Sequence, residues 1–193
     1  ILISAILLVM TVEMFRKKSH VMENIGTTIF AAAFVGLAMS YFIKLQQLGY
    51  AGSGGHLGGY AVLTVFIGVW TCDSLAYFVG SAIGKHKIFP RVSPNKSWEG
   101  SVSGLIGSFV ALVLIVNAGW LPGLDLIDAL MLGLITGVAG QIGDFAESLV
   151  KRDVGVKDSS NLLPGHGGAW DRLDSILFAA PLSYLYLVLV VGI

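Results

Sequence analysis

The chain has 193 residues, 55% of them hydrophobic and only 12% charged, with zero formal net charge and a mean hydropathy of +0.80. An ordinary soluble domain carries about 25% charged residues, so half that density with apolar runs of about 20 residues excludes a soluble enzyme and predicts an all-α polytopic membrane protein. Balanced charge excludes the global basic field of a nucleic-acid binder, and one cysteine, Cys72, makes no internal disulfide.

Six apolar segments are expected as helices, at 1–12, 25–43, 57–83, 98–118, 124–150 and 171–190. In lipid a backbone must satisfy its own hydrogen bonds, and no period-2 alternation suggests a barrel. The first segment begins inside an apolar run, so the chain reads as the C-terminal part of a longer one. It lacks the charged start and cleavage site of a signal peptide. The second leads to Gly52-Ser53-Gly54-Gly55, a flexible connector by composition. The third carries Asp73 well inside it, and the fourth begins at Glu99, just after Ser97. The fifth carries Gly133, Gly137, Gly140 and Gly143, a small-residue ridge suited to close helix packing. Such packing would let Asp144 approach another helix, and the same glycine-lined faces could pair two copies in a homodimer. Near the end of the fifth, Asp144 and Glu147 share a face that continues through Ser148 and Lys151. The sixth opens on Asp171, Arg172 and Asp174. No repeat and no soluble domain fit between these segments, so one transmembrane domain of about six helices over 1–193 is expected.

Basic residues set the orientation. Arg16, Lys17 and Lys18 follow the first segment; Lys85, Lys87, Arg91 and Lys96 follow the third; Lys151, Arg152, Lys157 and Arg172 surround the loop after the fifth. These connections hold 11 of the 12 lysines and arginines, while 45–56 and 119–123 hold none. By the positive-inside rule the basic loops are cytoplasmic.

Carboxylates within apolar segments are costly and need a reason. For Glu99 and Glu147 a helix cap or an ion pair is as good a reading as a site role, and Asp171 suits a helix N-terminus. Asp144, Asp171 and Asp174 lie at similar depth and would repel one another without a cation. Oxygen donors of this kind suit Mg²⁺, above all where phosphates complete the coordination. Lys151, Arg152, Lys157 and Arg172 supply positive charge beside them. Pro164-Gly165-His166-Gly167-Gly168 runs into a helix start with little side-chain obstruction, a favourable seat for anionic oxygens. His166 could serve as a general base, but contact with phosphate or ordering of the loop explains it at least as well.

Three stretches then carry a resemblance. Ser148-Leu149-Val150-Lys151-Arg152, Lys157-Asp158, Leu163-Pro164-Gly165-His166-Gly167-Gly168 and Asp171-Arg172-Leu173-Asp174 fall at fixed spacing over 148–174. Together they resemble the signature of the phosphatidate cytidylyltransferases. Ser93-Pro94-Asn95-Lys96-Ser97-Trp98-Glu99-Gly100 and Asp73-Ser74-Leu75-Ala76-Tyr77-Phe78 look like further stretches of that family. Asn95, Ser97 and Ala169 depart from it, where lysine, threonine and a bulkier aliphatic are usual.

The resemblance implies a polytopic, Mg²⁺-dependent nucleotidyltransferase that makes CDP-diacylglycerol and pyrophosphate from CTP and phosphatidate. It implies Asp144, Asp171 and Asp174 as cation ligands, a second cation included. Lys151, Arg152, Lys157 and Arg172 would clamp phosphates, and Asp158, Gly165, His166, Gly167 and Gly168 would line the nucleotide site. Lys96 and Ser97 are expected at the lipid phosphate, and Asp73, Glu99 and Glu147 in support. The expected location is a bacterial inner membrane, with the site facing the cytoplasm. An ion-coupled secondary transporter is the rival, since membrane acids also bind coupling ions, although transporters tend to show repeats and midplane sites.

Overall fold

The structure, a computed structural model, describes residues 2–16, 19–49, 56–157, 159–160, 168 and 170–193. The glycine turn Gly52-Ser53-Gly54-Gly55 lies outside the described residues, as do Lys17, Lys18, Asp158, Gly165, His166, Gly167 and Ala169. The described chain is helical; its single β-type contact is an isolated antiparallel bridge between Lys87 and Ser97. Among the described residues five helices are long and apolar enough to cross a membrane, and Ile3–Phe15 forms a shorter apolar one. All six expected segments are helical, and the chain is an all-α polytopic membrane protein.

Two compact units divide it. In Ile1–Ser40, α1 (Leu2–Phe15) is followed by α2 (Val21–Gln46), which runs past the unit's end. Glu13 of α1 is buried, and its carboxylate accepts from Asn24 Nδ2 at 2.8 Å and Arg16 Nη1 at 3.2 Å. Those donors compensate a charge that an apolar helix would otherwise exclude.

The second unit, Tyr41–Ile193, contains the remaining elements: α3 (Leu57–Ile83), α4 (Trp98–Asn117), α5 (Leu126–Leu134), α6 (Gly140–Asp153) and α7 (Asp174–Tyr186). Its core joins Val65 and Val69 of α3, Leu112 of α4, Leu132 of α5 and Ile176, Ala179 and Ala180 of α7. The outward side of α4 is apolar too. Val102, Ile106, Val110 and Leu114, one per turn, are all more than half exposed. A helix that is greasy on both its packed and its exposed face belongs in lipid.

Glycine brings α3 and α4 together. A Cβ at Gly100 would sit 2.6 Å from the Ala76 carbonyl oxygen, and one at Gly104 the same distance from that of Cys72. The sequence reading picks out the glycines of the fifth segment and passes over this ridge, although Gly100, Gly104 and Gly107 have the spacing that places small residues on one helix face.

The fifth segment is not one regular helix. Between α5 and α6, Ile135–Ala139 forms a π turn. Thr136 Oγ1 donates to the Leu132 carbonyl at 2.8 Å, and Ser108 Oγ donates to the Gly133 carbonyl at 3.0 Å, satisfying backbone oxygens where the ladder is disturbed. The wider turn splits the glycine ridge between neighbours. Gly133 and Gly137 face Phe109 and Leu105 of α4, whereas Gly140 faces Val69 and Ser175, and Gly143 faces Asp174 and Phe178. All four are buried against this chain's own helices, so the ridge has no free face for the homodimer expected through it.

Candidate active site

Two helix ends build the site. Gly143 lets α6 reach the start of α7: a Cβ there would lie 2.5 Å from the Asp174 carbonyl oxygen. The next residue is Asp144, and the carboxylates of Asp144, Glu147 and Asp174 meet with one oxygen of each within 4.8 Å of the others. Gly143→Ala is therefore expected to separate these acids, lowering turnover and costing about 1–3 kcal/mol through overpacking. Gly140→Ala, whose Cβ would find ordinary contacts at 3.6 Å, is expected to be tolerated. Thermal unfolding and rate measurements on both variants check the contrast, and equal behaviour would contradict it.

Around the three acids stand cations of the chain itself. Lys96 pairs with Asp144 and lies over the Phe145 ring, 4.3 Å from its centroid. Lys151 is largely buried and bridges Glu147 Oε2 and Asp171 Oδ1, each at 2.7 Å. The other oxygen of Glu147 is buried and has no hydrogen-bond partner among the described residues. A buried carboxylate oxygen without a donor is costly unless a cation faces it. Together with two carboxylates close by, that orphaned oxygen fits a hard divalent ion. One cavity of about 600 Å³ is lined by Asp73, Lys96, Gln141 and Asp144; a smaller one of about 250 Å³ is lined by Asp73, Asp171, Arg172 and Asp174. Asp73 borders both.

Residues 1–190 match the profile described as the cytidylyltransferase family. The chain belongs to that family. It is 37% identical over 188 residues to the phosphatidate cytidylyltransferase of Bacillus subtilis, an alignment covering 96% of this chain and 66% of that protein. To the phosphatidate cytidylyltransferase of Haemophilus influenzae it is 45% identical over 133 residues, covering 67% and 46% of the two. With that of Brucella abortus it shares 38% over 163 residues, covering 82% and 54%. The chain thus spans about half to two thirds of the length of the curated relatives it matches.

In this member of the family the expected site residues divide into groups. Asp144 and Asp174 converge, and Glu147, expected only in support, stands with them. Asp171, expected beside them as a ligand, stands outside this trio but shares Lys151 with Glu147. It lies in the 3-10 turn Trp170–Arg172, and its carboxylate accepts from Lys151, from the Ser159 N–H at 3.0 Å, from Ser159 Oγ at 2.8 Å and from the Gly168 N–H at 2.6 Å. The Gly168 N–H, expected at the nucleotide site, donates here to the Asp171 carboxylate. A side chain at Gly168 would collide with Ser159 and Ser160, so the close approach of Gly168 to these serines requires glycine.

Burial opposes ionisation of Asp171, yet Lys151, Gly168 and Ser159 hold its carboxyl below the ordinary carboxylate range. A depressed pKa contributes stability that is complete above the unfolded value of about 3.9 and is lost as pH falls through the folded value. The difference in melting temperature between the parent and Asp171→Asn should accordingly stay level from pH 8 to about pH 5 and shrink only below about pH 4. Shrinkage near neutrality would show that Asp171 is not held this way.

Ser97 caps α4, its buried hydroxyl accepting from the Gly100 N–H at 3.3 Å. Glu99 clamps the preceding loop, accepting from the His86 N–H and meeting His86 Nδ1 at 2.6 Å. Arg152 is exposed and donates to the carbonyls of Val92 and Val156. Lys157 is exposed on the turn after α6, and Arg172 borders the smaller cavity. Sequence reasoning missed Gln141, which lines the larger cavity, donates to the Ser101 carbonyl at 3.0 Å and reaches Cys72 Sγ at 3.4 Å. A lone glutamine one turn before Asp144 was the available signal.

Proposed function

We propose that this chain carries the catalytic region of a CTP:phosphatidate cytidylyltransferase, which transfers CMP to phosphatidate. One observation carries the reading: Asp144, Glu147 and Asp174 each bring one carboxylate oxygen within 4.8 Å of the others at the meeting of α6 and α7, and Glu147 has a buried oxygen with no hydrogen-bond partner among the described residues. Family membership and the names of the relatives support the substrate assignment. None of those names describes an ion-coupled transporter.

Asp144, Glu147 and Asp174 would hold Mg²⁺, which when bound neutralises charge on the triphosphate and on departing pyrophosphate. Asp171 has its counter-charge in Lys151 and acts as a positioning residue for α6, Ser159 and Gly168. A phosphate oxygen of phosphatidate attacks the α-phosphorus of CTP in line. The new P–O bond forms as the bond to the β-phosphate oxygen breaks, and pyrophosphate leaves with that electron pair. The attacking monoester is already anionic, so no general base is required. Positioning and charge neutralisation are the main tasks, and Lys96 and Arg172, bordering the two cavities, are placed to meet phosphate oxygens. The clustering of lysine and arginine on alternate connections supports a site facing the cytoplasm. There CTP arrives from water, and phosphatidate keeps its acyl chains in the bilayer.

Purified chain in detergent, given labelled CTP, phosphatidate and Mg²⁺, is expected to form CDP-diacylglycerol and pyrophosphate in equal amounts. Pyrophosphate released without lipid product, or no reaction at all, would overturn the assignment.

A further inference from the structure

On the outward side of the α3–α4 pair lies an open groove whose walls are Val79 and Ile83 of α3 and Trp98, Val102 and Ile106 of α4. Ile83, Trp98, Val102 and Ile106 are each more than half exposed. At the head of the groove stand Lys85 and Lys87, with Glu99 engaged by His86. Lys87 also lines the larger cavity that holds Lys96 and Asp144, so groove and cavity adjoin at its side chain.

We infer that this groove seats an acyl chain of phosphatidate, with Lys85 and Lys87 receiving the phosphate before it passes to Lys96. The inference rests on the proposed function and adds to it where the lipid enters and what selects it. Three features argue for this occupant. First, the apolar walls run along the lipid-facing side of α4, which continues through Val110 and Leu114 and gives an acyl chain a longer track. Second, the charge at the head is complementary: two exposed ammonium groups meet a phosphate monoester, while Glu99, the carboxylate lining the groove, is engaged by His86. A zwitterionic lipid, whose own cation offsets its phosphate, gains less from the same pair. Third, Lys87 stands at the junction with the cavity. Among the described residues its ammonium donates to the Asn95 carbonyl at 3.2 Å, and an ammonium has three donors. A phosphate held there is already at the border of the chamber containing Asp144.

Trp98 is a native reporter for the groove. In mixed micelles, phosphatidate with brominated acyl chains should quench Trp98, read as the difference between the parent and Trp98→Phe, at a mole fraction roughly tenfold lower than brominated phosphatidylcholine needs. Lys85→Gln with Lys87→Gln should bring the two lipids together. In the kinetic arm, Val102→Trp with Ile106→Trp should raise KM for long-chain phosphatidate about tenfold and leave KM for CTP and for dibutyryl phosphatidate unchanged. Equal quenching by both lipids in the parent would overturn the inference and make this ordinary lipid-facing surface. Quenching by brominated phosphatidylglycerol as strong as by phosphatidate would also overturn it, since the groove would then sense only negative charge. Selective quenching in a chain with no turnover would refute the proposed function and leave the groove standing. Turnover with unselective quenching would do the reverse.

Discussion

Asp144→Asn and Asp174→Asn each lower kcat by roughly 10²–10³-fold or more while the protein still elutes from detergent as the parent does. Each change keeps the size of the side chain and removes one anionic donor from a group that spans 4.8 Å. Loss of activity without unfolding is expected because both carboxylates are part-exposed and neither carries the packing of α6 on α7, which Gly143 and Phe178 provide. Glu147→Gln should lower kcat likewise, but Glu147 is buried and paired with Lys151, so it is expected to lower melting temperature too. Asp171→Asn should differ, since its carboxylate ties Lys151, Ser159 and Gly168 together. It is expected to lower melting temperature as well as rate. The check is a rate and a melting curve for each of the four variants across a Mg²⁺ titration. Undiminished turnover in both Asp144→Asn and Asp174→Asn would remove the carboxylate centre from the mechanism.

Lys151→Met should destabilise the second unit by about 3 kcal/mol, the lower end for breaking a buried ion pair. Its ammonium touches two carboxylates, at 2.7 Å each, and the side chains of all three residues are no more than 16% exposed. Removing it leaves Glu147 and Asp171 without the ammonium they share, although Asp171 keeps its donors from Ser159 and Gly168. The cost comes from the stranded acids rather than from the missing methylenes, which methionine largely replaces. Adding Glu147→Gln and Asp171→Asn to Lys151→Met should therefore recover part of the lost stability. Thermal unfolding in detergent of the parent, the single variant and the triple variant tests this. A triple variant no more stable than Lys151→Met would show that lysine contributes through something other than its charge.

The residues differ in how much of their role was legible in order along the chain. Apolar segments long enough for a bilayer announced the helices, because a hydrocarbon slab imposes a length that can be counted. The boundaries of α3 agree with the expected 57–83 residue for residue. The break at Ile135–Ala139 was invisible, since a π turn leaves the apolar composition unchanged and depends on Ser108, a residue of another helix. Glycine spacing disclosed close packing but not the partner. Among four glycines on one segment, two face α4 and two face α3 and α7. Ser97 and Glu99 illustrate the opposite difficulty. They sit in a stretch with a recognisable motif, yet one caps α4 and the other clamps His86.

By itself the sequence determined that the chain is a bundle of apolar helices, that its charges collect on alternate connections, and that its acids sit near the ends of the fifth and sixth segments. Each of these follows from one-dimensional quantities: run length, sign of charge and position along the chain. Only the tertiary structure decided which acids meet. Asp171 and Asp174 are three residues apart, but the 3-10 turn ending at Arg172 points the first at Lys151, while α7 carries the second to Asp144 and Glu147. The physical reason is that a carboxylate turns toward whichever donors lie within about 3 Å, and those donors, an ammonium from α6 and N–H groups from a loop, come from elsewhere in the fold.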